Sequence, residues 1–286
     1  MPTLQERASV FAERHRGPGI IVLPNAWDPG TAIVLAEAGF PFVATTSAGM
    51  AFAQGLPDGQ RLSRSRMLEL AGQIAAAVDV PVSADLEAGY GPSPEDVAAT
   101  VKGAVAAGLA GCNIEDSTGD RDDPLFEQEL AVERIRAGAE AARATGLPFV
   151  LNARVDPYLV RLGTPEENLT ESIRRANAYR EAGADCLFVP GVADRDTIGQ
   201  LAREIDGPLN VLGARGGAAG PALSMAELEA LGVRRVSLGG SLALAALALV
   251  RRAAVELLER GTVSYAGEAM TNADANALML AARRGR

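Results

Sequence analysis

Three acidic residues and one arginine of this 286-residue chain are spaced so that they could act together. Asp85 and Glu87 lie in Asp85-Leu86-Glu87-Ala88-Gly89-Tyr90-Gly91, Glu115 in Ile114-Glu115-Asp116, and Arg154 in Asn152-Ala153-Arg154-Val155-Asp156. Each follows a short apolar run of the kind that makes a buried strand. Side chains alternate along a strand with period two, so Asp85 and Glu87 are expected on one side. A neighbouring strand would bring Glu115 to the same spot. Three carboxylates crowded near an apolar core repel one another and lose hydration. A hard divalent cation relieves both costs, and oxygen ligands without histidine or thiolate select magnesium or manganese over zinc. A solvated acidic rim is the alternative. Arg154 suits a bidentate grip on a carboxylate, or stabilisation of an enolate oxygen. Its alternative is a structural pair with Asp156 or Glu115.

Smaller signals surround these four. Thr45-Thr46-Ser47-Ala48-Gly49 offers backbone N–H groups and hydroxyls that could hold a carboxylate, or else is a plain polar loop. Asp58, in Leu56-Pro57-Asp58-Gly59, reads by itself as part of a turn. Asp28 precedes Pro29 and reads as a helix cap. Asn210 sits in a late strand, and Gly239-Gly240-Ser241 could form an anion nest before a helix. Together the set suits a small carboxylate bearing a 2-oxo or 2-hydroxy group. Metal and arginine would hold the oxygen on which charge grows as a bond to the neighbouring carbon breaks.

The elements that must position these groups are written as a rhythm. An alanine-rich helical pattern, a glycine and a short apolar run recur, with the glycines at Gly39, Gly108, Gly146, Gly183 and Gly232. Glycine takes the left-handed conformation that ends a helix. Eight runs read as strands: Ile20–Leu23, Phe42–Thr45, Pro81–Ala84, Gly111–Ile114, Phe149–Leu151, Cys186–Val189, Leu209–Leu212 and Arg235–Leu238. Helix starts are marked by Ser93-Pro94-Glu95-Asp96, Thr164-Pro165-Glu166-Glu167 and Ser224-Met225-Ala226-Glu227. Eight strands alternating with helices predict a TIM-type (β/α)₈ barrel in a single domain spanning residues 1–286. Within it, residues 1–17 would be an N-terminal helix, 18–240 the barrel and 241–286 C-terminal helices. An open doubly wound sheet is the rival. Gly213-Ala214-Arg215-Gly216-Gly217 does not match the dinucleotide-loop spacing, which favours the barrel.

Composition removes other classes. Lys+Arg 27 against Asp+Glu 36 gives a net charge of −9, which argues against nucleic acid or an anionic membrane as partner. The apolar stretch Ser241 to Val250 ends at Arg251-Arg252, short of the roughly 20 residues a membrane span needs. Two cysteines and one histidine exclude multi-histidine and four-cysteine metal centres. Cys112 and Cys186 read as reduced and buried, and His15 as an exposed helix histidine. No secretory pattern is read, and a soluble cytoplasmic protein is expected.

At Ala84-Asp85-Leu86-Glu87-Ala88-Gly89-Tyr90-Gly91, Asn113-Ile114-Glu115-Asp116 and Asn152-Ala153-Arg154 the chain resembles the isocitrate lyase/phosphoenolpyruvate mutase superfamily. The resemblance runs from Leu23-Pro24-Asn25-Ala26-Trp27-Asp28 to the tail Asn272-Ala273-Asp274-Ala275-Asn276. It implies Mg²⁺ and an enolate formed beside a 2-oxo acid. Asp85 is implied as the direct metal ligand, with Glu87 and Glu115 holding metal-bound waters. Arg154 is implied on the substrate carboxylate or enolate oxygen. Thr46, Ser47 and Ala48 are implied as the carboxylate cradle, Asp58 over the metal-bound end of the substrate, and Asn210 on the substrate side. It also implies a homo-oligomer, dimer or tetramer, with a C-terminal helix exchanged between subunits. Three departures from the family pattern bear on the activity. The family's common Asp-x-Asp is here Asp85-Leu86-Glu87. Its Lys-Lys-Cys-Gly-His loop is replaced by Ser117-Thr118-Gly119-Asp120-Arg121-Asp122-Asp123-Pro124, which argues against isocitrate cleavage. The mutase's Lys-x-Asn is missing too. A carbon–carbon lyase or decarboxylase on a 2-oxo or 2-hydroxy (di)carboxylic acid is expected. A phosphoenolpyruvate mutase or phosphonopyruvate hydrolase is the alternative, and a non-catalytic 2-oxo-acid binding protein a second one.

Overall fold

A computed structural model describes residues 2–213 and 222–284. Residues 214–217 of the glycine-rich segment named above lie outside the described residues. Nine strand segments form one parallel sheet: β1 (Ile21–Leu23), β2 (Asn25–Ala26), β3 (Val43–Thr45), β4 (Val82–Asp85), β5 (Gly111–Glu115), β6 (Val150–Arg154), β7 (Cys186–Phe188), β8 (Leu209–Leu212) and β9 (Arg235–Ser237). Their order is β1-β9-β8-β7-β6-β5-β4-β3-β2. The two ends of that order, β1 and β2, are one stave of the sheet interrupted at Pro24, so the sheet closes on itself. Proline has no N–H to give to the ladder. Its carbonyl still accepts from the Ala44 N–H at 2.9 Å, which carries the strand across the break.

The sequence rhythm survives in detail. Gly39, Gly108, Gly146, Gly183 and Gly232 all have positive φ, between 74° and 110°. Thr3, Asp28, Ser93, Thr164 and Ser224 each cap a helix through a reciprocal capping box. Strand ends differ from expectation where it matters. β4, β5 and β6 run on to include Asp85, Glu115 and Arg154 as their last residues, so the barrel walls themselves carry these side chains.

Two cores result. The larger lies between the sheet and the surrounding helices. The smaller fills the barrel's interior with Ile21, Leu23, Phe42 and Val150, plugged by Phe11 of the N-terminal helix Leu4–Arg16. A side chain at Gly111 would come within 3.0 Å of the Phe11 ring, so glycine is what lets that helix seat there. His15 corrects the sequence reading. It is 3% exposed, its Nδ1–H donates to the Phe11 carbonyl at 2.8 Å, and its ring meets the Phe11 ring edge-on. The basic run misled because Arg14 and Arg16 flank a position that faces the barrel. Cys112 and Cys186 are free and buried, as expected.

After β9 the helix Ser241–Arg260 leaves the barrel with only Ala243 buried. The helix Asn272–Arg284 packs back against Pro29–Glu37. Among the described residues, no helix is long and apolar enough to cross a membrane.

Candidate active site at the carboxyl ends of the strands

A cavity of about 200 Å³ opens where β3, β4, β5 and β6 end, with Ser47, Asp58, Asp85, Asn113 and Arg154 in its wall. Asp85 is the most heavily hydrogen-bonded of these. Its Oδ2 accepts from the Ser47 N–H at 3.1 Å and the Ser47 hydroxyl at 2.7 Å. Its Oδ1 accepts from the Asn113 amide at 2.8 Å. Asn113 was not singled out from sequence, although it stands two residues before Glu115 and therefore on the same side of β5.

Arg154 is held from two sides. Its Nε and Nη2 donate to the two oxygens of Asp156 at 2.7 and 2.9 Å, and Nη1 lies 2.7 Å from Glu115 Oε2. Both pairings weighed from sequence are thus present together. Asp156 is 1% exposed at its side chain, and Arg154 and Glu115 about 15%, so the triad is shielded from water. Burial works against the arginine's charge, but Asp156 and Glu115 outweigh it and hold the guanidinium firmly protonated. Glu115 is pushed up by burial and by Asp156, Asp85 and Glu87, against the pull of Arg154.

Glu87 reaches the cluster by a route the alternation rule did not foresee. β4 ends at Asp85, and Glu87 adopts φ 49°, a left-handed conformation costly for a residue with a Cβ. Its carboxylate accepts from the Gln60 N–H and, at 3.1 Å, from the Tyr90 hydroxyl. Gln60 and Tyr90 also have positive φ, at 56° and 60°, and the Tyr90 N–H returns a bond to Gln60 Oε1 at 2.8 Å. Three strained residues thus lock one another. Burial, then Asp85 and Asp58, push the Glu87 carboxyl up to about 7. Asp58 stands at the cavity mouth, raised by burial and by Asp85.

Among the described residues, no group of three or more acidic, histidine or cysteine side chains gathers at metal-ligand spacing, so Asp85, Glu87 and Glu115 do not form one direct cage. Arg154 draws Glu115 aside, and Gln60 with Tyr90 holds Glu87. The donor chemistry still fits Mg²⁺, which keeps several waters and takes only one or two carboxylates. Burial first, and the Asp85 carboxylate in each case besides, push Asp58, Glu87 and Glu115 up, and a cation beside Asp85 would relieve the second of these. The Thr46–Ala48 segment starts the short helix Ser47–Ala53, with the Thr46 hydroxyl accepting from the Gly49 N–H at 3.3 Å. Thr46 and Ala48 line the cavity, but both Ser47 donors are spent on Asp85. The Gly239 nest is likewise filled. The Leu238 and Gly239 N–H groups donate to Asn25 Oδ1 at 2.8 and 2.9 Å. Asn210 is fully buried beside Ser237, 3.5 Å away, and is not among the cavity-wall residues.

Comparison with known proteins identifies the family. Residues 11–258 match the family described as phosphoenolpyruvate phosphomutase. An uncharacterized protein of Mycobacterium tuberculosis is 37% identical over 229 residues, covering 80% of this chain and 81% of its own. The 2,3-dimethylmalate lyase of Eubacterium barkeri is 30% identical over 220 residues, covering 74% and 73%. Among solved structures, a candidate lyase/mutase from Burkholderia cenocepacia J2315 superposes with a TM-score of 0.89 at 44% identity, covering 96% of this chain and 95% of that one. A phosphonopyruvate hydrolase in complex with oxalate and Mg²⁺ gives 0.83 at 27%, covering 98% and 96%. With the family match spanning most of its length, the chain belongs to the phosphoenolpyruvate mutase/isocitrate lyase superfamily.

Proposed function

We propose that this chain is a Mg²⁺-dependent lyase or decarboxylase that breaks a carbon–carbon bond in a small 2-oxo or 2-hydroxy (di)carboxylic acid through an enolate. The observation that carries this reading is Arg154, fixed by Asp156 and Glu115 while lining the same cavity as Asp85. A guanidinium clamped before the substrate arrives pays no reorganisation when charge develops on the substrate oxygen. Mg²⁺, when bound, would act as the Lewis acid on that oxygen and neutralise the acidic wall. Asp85 would ligate it directly, and Glu87 and Glu115 would hold its bound waters. Asp58 covers the mouth above the substrate, Glu115 positions Arg154, and Thr46, Ser47 and Ala48 border the substrate carboxylate. Asn210 supports this side from beneath. The same reading includes a homo-oligomer, dimer or tetramer, in which the helix Ser241–Arg260 covers a neighbouring subunit.

The test is a panel of 2-oxo and 2-hydroxy mono- and dicarboxylates with Mg²⁺, followed for pyruvate or CO₂. Asp85→Ala should abolish release. Turnover that survives EDTA would sink the proposal, and phosphate release from phosphonopyruvate would replace it by a P–C activity. Tight Mg²⁺-dependent binding of a 2-oxo acid with no turnover across the panel would leave a binding protein.

A further inference from the structure

Below the acidic rim the barrel interior holds a cation that forms no ion pair among the described residues. Arg235, the first residue of β9, is 1% exposed and borders the same cavity as Asp85 and Arg154. Its Nη2 donates to the Ser83 hydroxyl across the barrel at 3.2 Å. Its Nε and Nη1 have no hydrogen-bond partner among the described residues. The guanidinium carbon lies 5.8 Å from the centre of the Phe11 ring, so the plug of the barrel is its floor. None of the ion pairs among the described residues includes it, and residues 214–221 contain no Asp or Glu. Asn152, two residues before Arg154 on β6, is fully buried, and neither amide atom has a hydrogen-bond partner among the described residues.

This interior is abnormal for the architecture. Barrel interiors of this type are filled by layers of branched apolar side chains. A buried charge without a partner is strongly unfavourable, and a hydrophobic residue of similar size is the stable choice. Burial accordingly works against the charged form of Arg235. No carboxylate among the described residues is in contact with it, and the cavity above is where an anion from outside can approach it. Charge acts through a low-dielectric interior over a longer distance than a hydrogen bond does, so contact is not required.

We propose that Arg235 is a specificity-determining residue that makes the cavity select dianionic small acids over monoanionic ones, its unpaired charge being balanced by the second negative charge of the bound acid. The proposal rests on the cavity being the acid site argued above, and it deepens that reading by assigning the charge of the ligand. It also predicts an inverted stability effect. A merely structural arginine stabilises the free protein, whereas one placed for a ligand destabilises it until the ligand arrives.

The test compares oxalate with oxamate, nearly identical in shape and differing by one charge, by calorimetry in Mg²⁺. The wild-type chain should prefer oxalate. Arg235→Met should reduce that preference about tenfold, through oxalate rather than oxamate. Arg235→Lys, which keeps the charge, should restore most of it. The melting temperature of ligand-free Arg235→Met should equal or exceed that of wild type. Equal binding of both acids by wild type and Arg235→Met, or a parallel loss of both, overturns the proposal while leaving the acid site in place. Failure of the wild-type chain to bind oxalate removes the acid site and this inference with it. Arg235→Gln carries the same comparison, so a Met variant that fails to fold does not shelter the idea.

Discussion

Ser47 gives both its backbone N–H and its hydroxyl to the same oxygen of Asp85, at 3.1 and 2.7 Å. One residue at the start of a helix after β3 thereby aims the carboxylate at the end of β4. Two hydrogen bonds to a charged acceptor fix its plane, and each is worth about 1.5–3 kcal/mol. Ser47→Ala removes one donor and keeps the other. It should weaken Mg²⁺-supported oxalate binding about tenfold in calorimetry, where Asp85→Ala abolishes it. Undiminished binding by Ser47→Ala would show that the carboxylate does not depend on this aim.

Arg154 cannot be exchanged for lysine if its clamp matters. A lysine retains the charge but offers a point donor in place of the planar fork that spans Asp156 and Glu115. Arg154→Lys should fold normally by circular dichroism and lose turnover by about a hundredfold, because a small misplacement of the charge is costly in the transition state. Asp156→Asn should lose a similar amount of turnover and also destabilise the protein, by about 3 kcal/mol in urea denaturation, since it leaves a buried cation half-paired.

The buried histidine gives the stability a defined pH dependence. Burial, then the charge of Arg235, hold the His15 imidazole neutral down to about 3, against an ordinary value of 6.5. The unfolded chain therefore binds a proton below pH 6.5 that the folded chain refuses until about pH 3. Unfolding takes up that proton, so stability falls as pH drops through this window, by up to about 1.4 kcal/mol per pH unit. His15→Phe should flatten the acid limb of a plot of melting temperature against pH. Parallel curves for the two proteins would refute the assignment.

The helix Ser241–Arg260 exposes Leu244 at 53%, Leu247 at 49%, Val255 at 45% and Leu258 at 86%, and at 100° per residue these four share one face. An apolar stripe of this kind seeks cover. Sedimentation should find a dimer or tetramer, and Leu247→Asp with Leu258→Asp should shift it to smaller species without disturbing the barrel. A wild-type monomer at micromolar concentration would refute the exchanged-helix assembly.

Strand and helix order, the capping boxes, the helix-ending glycines and the residues of the acidic rim were all legible in the chain itself. They depend on local rules: a period of two, a proline at a first turn, a glycine where φ must be positive. Those rules placed Asp85, Glu115 and Arg154 at neighbouring strand ends. The same rules stop at the last residue of a strand, which is why Glu87 arrives through a left-handed turn braced by Gln60 and Tyr90. They are equally silent on the barrel's interior. His15 reads as exposed and Arg235 only as the start of a strand run, because burial is set by which wall a side chain faces once the sheet has closed. Hydrogen-bond partners are chosen among all the groups that closure brings together. Only the tertiary structure could give Ser47 to Asp85, show that Arg154 takes Asp156 and Glu115 together, and leave Arg235 without a carboxylate partner among the described residues.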